Sequence, residues 1–163
     1  MYIDKILSKF RLNETNPISV TVDLNAILRP AEEVNESREN VPFREAVGSL
    51  IFLATVSWPE IPFSANVLSR LLSNHDDSHW QAVKRIFKYF VGIADFGIKY
   101  SEGGHEPQLI GYSDADYASD LDTQRSVIGY AFSLANGLVS WSIQRQNLVT
   151  LSTAKSEYVG RMA

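Results

Sequence analysis

The sequence predicts a mixed chain of the α+β or α/β class, mostly helical over residues 1–94 and then built of strands and one last helix over 95–163. Two periodicities lead there. Before residue 95 apolar residues recur every three or four positions, as on a helix with one buried face; after Asp95 they alternate, as on a strand. The third observation is Asn136-Gly137 between two apolar runs. Both residues tolerate the positive φ of a type I′ turn, so the runs on either side should form a tight hairpin.

Ile3, Ile6, Leu7 and Phe10 lie at helical spacing and predict a short amphipathic helix over 2–10. Residues 13–40 lose that spacing, contain Pro17, Pro30 and the polar run EEVNESREN, and read as an extended connection. Phe43–Val56 is apolar without alternation, which predicts a buried helix. Pro59 can open the next helix, with Ile61, Ala65, Leu68 and Leu72 along one side. A third long helix should run from Ser78 to Val91 on an inner stripe of Trp80, Val83, Phe87 and Phe90. Ser78 and Gln81 have capping-box spacing there, and Gly92 suits the position just past the end. Strands are expected at Phe96–Tyr100, Leu109–Asp114, Ile128–Leu134 and Leu138–Ile143. The first of these could fold back through residues 101–108 and pair with 109–113. Ser152 or Thr153 should cap a last helix running to Ala163.

Composition narrows the function classes. With 163 residues, 45% apolar and 21% charged, the chain can bury a core without staples, and zero cysteines exclude a disulfide scaffold, a zinc ribbon and a Cys nucleophile. The start has charges at Asp4 and Lys5 and no long apolar stretch, so a secretory signal is not expected. Leu50–Val56 is far shorter than the roughly 20 residues needed to span a bilayer. An intracellular protein, cytoplasmic or nuclear, is expected. A net charge of −4 argues against a dedicated nucleic-acid binder but leaves room for a local strip. Lys84, Arg85, Lys88 and Lys99 against Asp95 form such a strip, and Lys84, Arg85 and Lys88 are candidate nucleic-acid contacts, although a solvated helix face has the same composition.

Most motifs fail on chemistry. His75 and His79 are four apart, but no Glu follows the first and no third ligand is evident, so capping and packing roles are expected rather than zinc. Ser152 and Lys155 have Ser-x-x-Lys spacing without the partner motifs of acyl-enzyme nucleophiles. Asp114, Asp116, Asp120 and Asp122 are not a calcium loop, because Ser119 and Arg125 replace its required Gly and Glu. What remains is Asp114 with Asp116 on one face of a strand end. Two such carboxylates repel unless water or a cation compensates them, and Mg²⁺ prefers carboxylate oxygens plus water. Glu157 on the last helix could approach the same end of the sheet; an acidic turn and an exposed helix glutamate are the structural alternatives.

The blocks GYSDADYASD (111–120), RSVIGYAFSL (125–134), VSWSIQRQ (139–146) and VTLSTAKSEY (149–158) occur in order. Together they resemble the start of the ribonuclease H domain in copia-type retrotransposon Pol polyproteins. Upstream, PFREAVGSLIFLA (42–54), SWPEIPFSANVLSR (57–70) and HWQAVKRIFKYFVG (79–92) resemble the tail of reverse transcriptase that joins that domain. The resemblance runs from about Tyr2 to Met162. It implies a truncated ribonuclease H-like fold of three antiparallel strands and one helix after residue 95, and a family that cleaves the RNA strand of an RNA–DNA hybrid with four carboxylates and two Mg²⁺ ions. Asp114 matches the first acid and Glu157 the second, as catalytic and metal-ligating residues; Asp116 is a neighbour rather than a ligand. Lys155 stands where the family carries another Glu, and Trp58 where it usually has Arg. The third and fourth acids belong to later elements, so an incomplete catalytic set is expected, with weak or absent Mg²⁺ binding and no polymerase doublet. A retained, non-catalytic binder of nucleic acid or protein is the alternative. The free edge of strand 109–114 also invites self-association.

Overall fold

A computed structural model of the chain describes residues 2–21, 28–31, 41–101, 108–116 and 123–162. The polar run 32–40, Asp120, Asp122 and most of the 101–108 connection lie outside the described residues, as does Ala163. The chain divides into two compact units, Met1–Gly97 and Ile98–Ala163. The described residues make an α+β architecture of five helices and one three-stranded antiparallel sheet.

The first unit contains α1 (Tyr2–Lys9), α2 (Phe43–Val56), α3 (Pro62–Ser69) and α4 (Asp77–Ile93). Ile3, Ile6 and Leu7 give α1 its buried stripe, and Phe43, Ala46, Val47, Leu50, Leu53 and Ala54 do the same for α2. They meet Val83, Ile86, Phe87 and Phe90 of α4 in one apolar core. Rings lock it: Phe10 stacks on Phe87 at 5.0 Å, and Trp58 meets Phe90 edge-on at 5.4 Å. Each such side chain contributes about 1.5–3 kcal/mol by leaving water. Helix α2 is buried on one side only, because Ile51, Phe52 and Val56 face outward.

Three boundaries in this unit differ from the sequence expectation. Helix α3 starts at Pro62 rather than Pro59. A helix begun at Pro59 would need a donor from Pro62 in its first turn, and proline has none; instead Ile61 N–H closes a turn on Trp58 O at 3.4 Å. The cap of α4 is Asp76, not Ser78. Its carboxylate accepts from the N–H groups of Ser78 and His79 at 2.9 and 3.3 Å, while His79 Nδ1 accepts from Asp76 N–H at 2.8 Å. Gly92 lies inside α4 rather than past it. A Cβ there would sit 3.1 Å from Pro17 Cβ, so the glycine admits the 13–18 segment, whose Ile18 N–H donates to Lys88 O.

In the second unit β1 (Ile110–Asp116), β2 (Val127–Leu134) and β3 (Gly137–Arg145) pair antiparallel in the order β1-β2-β3, followed by α5 (Thr153–Arg161). The hairpin forms, one residue earlier than expected. Ala135 and Asn136 occupy the turn with φ of 51° and 63°, and Gly137 opens β3 opposite Leu134. The cause is tertiary: a Cβ on Gly137 would lie 2.5 Å from the Tyr100 ring, whose hydroxyl donates to Leu138 O at 2.6 Å. The expected strand Phe96–Tyr100 is absent, and so is its ladder with 109–113. Residues 99–101 instead lie against the hairpin, with Ser101 N–H on Ala135 O at 2.9 Å. Among the described residues of this unit Ile128 is the one buried large apolar side chain, and its other buried residues are Ser126, Gln146, Thr150 and Ser156, all polar, beside the half-turn glycine Gly137.

Candidate functional site

Asp114 lies on β1 opposite Gly129, exposed, its Oδ1 accepting from Ala115 N–H at 2.9 Å. Asp116, also exposed, ends the strand. Glu157 lies in α5 and is half-buried.

What holds α5 on the sheet is a small polar cluster, of which sequence reasoning singled out only Ser152, as the cap. Ser152 caps the helix, accepting from Lys155 N–H at 3.3 Å. Gln146, buried just past β3, donates from Nε2 to Ser156 O at 2.9 Å, and its own N–H donates to Ser126 O at 2.8 Å. The Ser126 and Thr150 hydroxyls meet at 3.2 Å. Gly160 lets the helix come close: a Cβ there would be 3.2 Å from Ile128 Cγ2 and 3.5 Å from Ala115 Cβ. These bonds tie α5 to the chain just past β3, while Gln146 Oε1 and the Ser156 hydroxyl stay buried without a partner.

The packing places both acids on touching elements, with a definite sense. Ala115 faces α5, and side chains alternate along a strand, so Asp114 projects from the other face of β1. Glu157 is one helical turn from Gly160 and shares its side of α5. β1 is an edge strand of the described sheet, so the Asp114 carboxylate lies on the face of that edge strand turned away from α5. The donor set is hard oxygen, which suits Mg²⁺, an ion that takes one or two carboxylates and completes its shell with water and phosphate oxygens. Among the described residues no group of three or more His, Asp and Glu could hold a metal ion. His79 is taken by the α4 cap, and His75 stacks on Phe43 at 4.3 Å between ring centres.

The three basic residues of α4 do not form a plain solvated face. Lys84, Arg85 and Lys88 are half-buried and line one cavity between α3 and α4, and Lys84 Nζ also lies 5.6 Å from the centre of the Trp80 ring. No helix among the described residues is long and apolar enough to cross a membrane.

No protein-family model and no solved structure matches the chain. Among curated proteins it is 35% identical over 163 residues to a retrovirus-related Pol polyprotein from transposon TNT 1-94 of Nicotiana tabacum, covering 97% of this chain and 12% of that one. It is 38% identical over 116 residues to the corresponding polyprotein from transposon RE2 of Arabidopsis thaliana, covering 71% of this chain and 8% of that protein. A shorter relative, secreted RxLR effector protein 161 of Plasmopara viticola, is 39% identical over 121 residues, which is 74% of this chain and 84% of the effector. The chain thus spans a small part of the polyproteins and most of the effector.

Proposed function

Because the chain belongs to the retrovirus-related Pol polyproteins of copia-type transposons, we propose that it is the segment joining the reverse transcriptase tail to a ribonuclease H-like region, acting on RNA–DNA hybrids inside the cell, in cytoplasm or nucleus. The observation that carries this reading is the docking of α5, which bears Glu157, on β1, which bears Asp114, through Gly160, Ala115 and Ile128. Asp114 and Glu157 would hold Mg²⁺, which when bound supplies positive charge for phosphodiester hydrolysis. The remaining work belongs to the chain's own groups. Ala115 N–H orients the Asp114 carboxylate, and Gln146 and Ser152 fix the helix that carries Glu157. On this reading the segment contributes two of the four acids that such chemistry uses.

A magnesium titration followed by amide NMR tests this. Mg²⁺ should shift Ala115 and the residues around Glu157, with an affinity in the millimolar range expected for two carboxylates, about −4 kcal/mol. Asp114→Asn should abolish those shifts. Identical shifts in wild type and variant would end the assignment.

The effector relative favours a second reading, a retained non-catalytic module. It is a short protein, not named a polyprotein, and most of its length aligns here. On this reading hybrid or protein binding survives Asp114→Asn unchanged, and no Mg²⁺ shifts appear.

A further inference from the structure

We infer that the cavity between α3 and α4 binds a single nucleoside 5′-phosphate. Its volume is about 610 Å³, within the range of small-molecule sites. One wall is cationic: Lys84, Arg85 and Lys88 share a side of α4, and none makes an ion pair with a described residue. A second wall, from α3, is apolar, with Val67, Leu68 and the half-exposed Phe63 ring, and Ile18, Thr21 and Leu28 line a third side.

Two polar groups point to a ligand rather than to a solvated face. Ser64 is only 7% exposed and lines the cavity, yet its Oγ has no hydrogen-bond partner. Arg85 Nε is buried and equally unpartnered. Buried donors without partners are rare in folded proteins and call for an explanation. A phosphate monoester supplies one: it carries a charge of about −1.5 to −2 at neutral pH and three acceptor oxygens, against three cations and two unmet donors. A carboxylate amphiphile would bring half that charge. The apolar wall and the Phe63 face suit a flat ring, and Gln81 and Ser78 at the same cavity offer groups for its polar edge. The choice of a nucleoside as the ring-bearing group rests on the assignment of α4 to nucleic acid. The chemistry is common to a free mononucleotide and to the 5′-phosphorylated end of a strand.

Calorimetry on the full chain tests it with adenosine 5′-monophosphate, adenosine and inorganic phosphate as probes. The monophosphate should bind saturably and about tenfold or more tightly than either part alone, and Arg85→Gln and Lys88→Gln should each weaken it by about tenfold, as expected for charge-assisted bonds. Ser64→Ala, the mildest change at a buried site, should weaken it several-fold with the melting temperature retained. A 5′-phosphorylated oligonucleotide that outbinds both the monophosphate and its 5′-hydroxyl counterpart would assign the site to strand ends; equal binding of oligonucleotide and monophosphate would assign it to free nucleotide. Adenosine binding as tightly as its phosphate, or no saturation by about 10 mM, overturns the inference. If hybrid binds in a salt-dependent way while the monophosphate does not, the cavity fails and the nucleic-acid reading of α4 stands; the reverse result fails that reading instead.

Discussion

At the scale of single residues, Asp76 shows how much local chemistry one side chain can carry. The Ser78 hydroxyl bond, with further bonds from the His79 and Ser78 backbone N–H groups, holds its carboxyl below the ordinary carboxylate range, against the opposing effect of burial. Asp76→Ala should therefore cost about 1 kcal/mol of stability, as for other helix caps, read by urea denaturation at neutral pH. The sign of its pH dependence follows from a depressed folded pKa. The contribution is full above the unfolded value, 3.8, and is lost as pH falls through the lower folded value, so variant and wild type should converge in acid. The cap was misplaced by sequence reasoning because the partner three residues on is His79, not the Glu or Gln that a capping box normally shows. Asp114 and Glu157 were visible as residues. Their relation was not, since it depends on which face of β1 meets α5.

Among elements, the helices were legible where burial follows one stripe. Ile3, Ile6 and Leu7, or Val83, Phe87 and Phe90, announce themselves by spacing alone. The hairpin was legible in kind but shifted by one residue, because the Tyr100 ring claims the space beside Gly137 and pushes the turn onto Ala135 and Asn136. The alternation of Phe96, Ile98 and Tyr100 suggested a strand whose ladder never forms; the segment's end bonds the hairpin instead, Ser101 N–H to Ala135 O and the Tyr100 hydroxyl to Leu138 O. The anchoring of α5 left no periodic signal, since buried Gln146 and Ser156 look like surface residues. Gly160→Val tests that anchor. Its branched side chain would overlap Ile128 and Ala115, at the typical overpacking cost of about 1–3 kcal/mol. Faster amide exchange should then appear in α5 and at Ala115, with α1–α4 unchanged; uniform protection would show that the close approach is dispensable.

On the scale of the whole molecule, a net charge of −4 conceals the cationic wall of α4. Hybrid affinity should fall linearly with the logarithm of salt, and replacing Lys84, Arg85 and Lys88 together by Gln should flatten that slope by about 2–3 if each neutralises one phosphate. An unchanged slope would place the contact elsewhere. The two units also differ in what holds them. The large apolar cluster lies entirely within Met1–Gly97, whereas beyond Ile98 the described residues rely on a hydrogen-bonded ladder, Ile128 and four buried polar side chains. A protease should register that difference as an order of events. Brief digestion ought to nick the chain after Gly97 and leave a resistant N-terminal product on a gel, because sheets with little oily filling open more often than packed helices do.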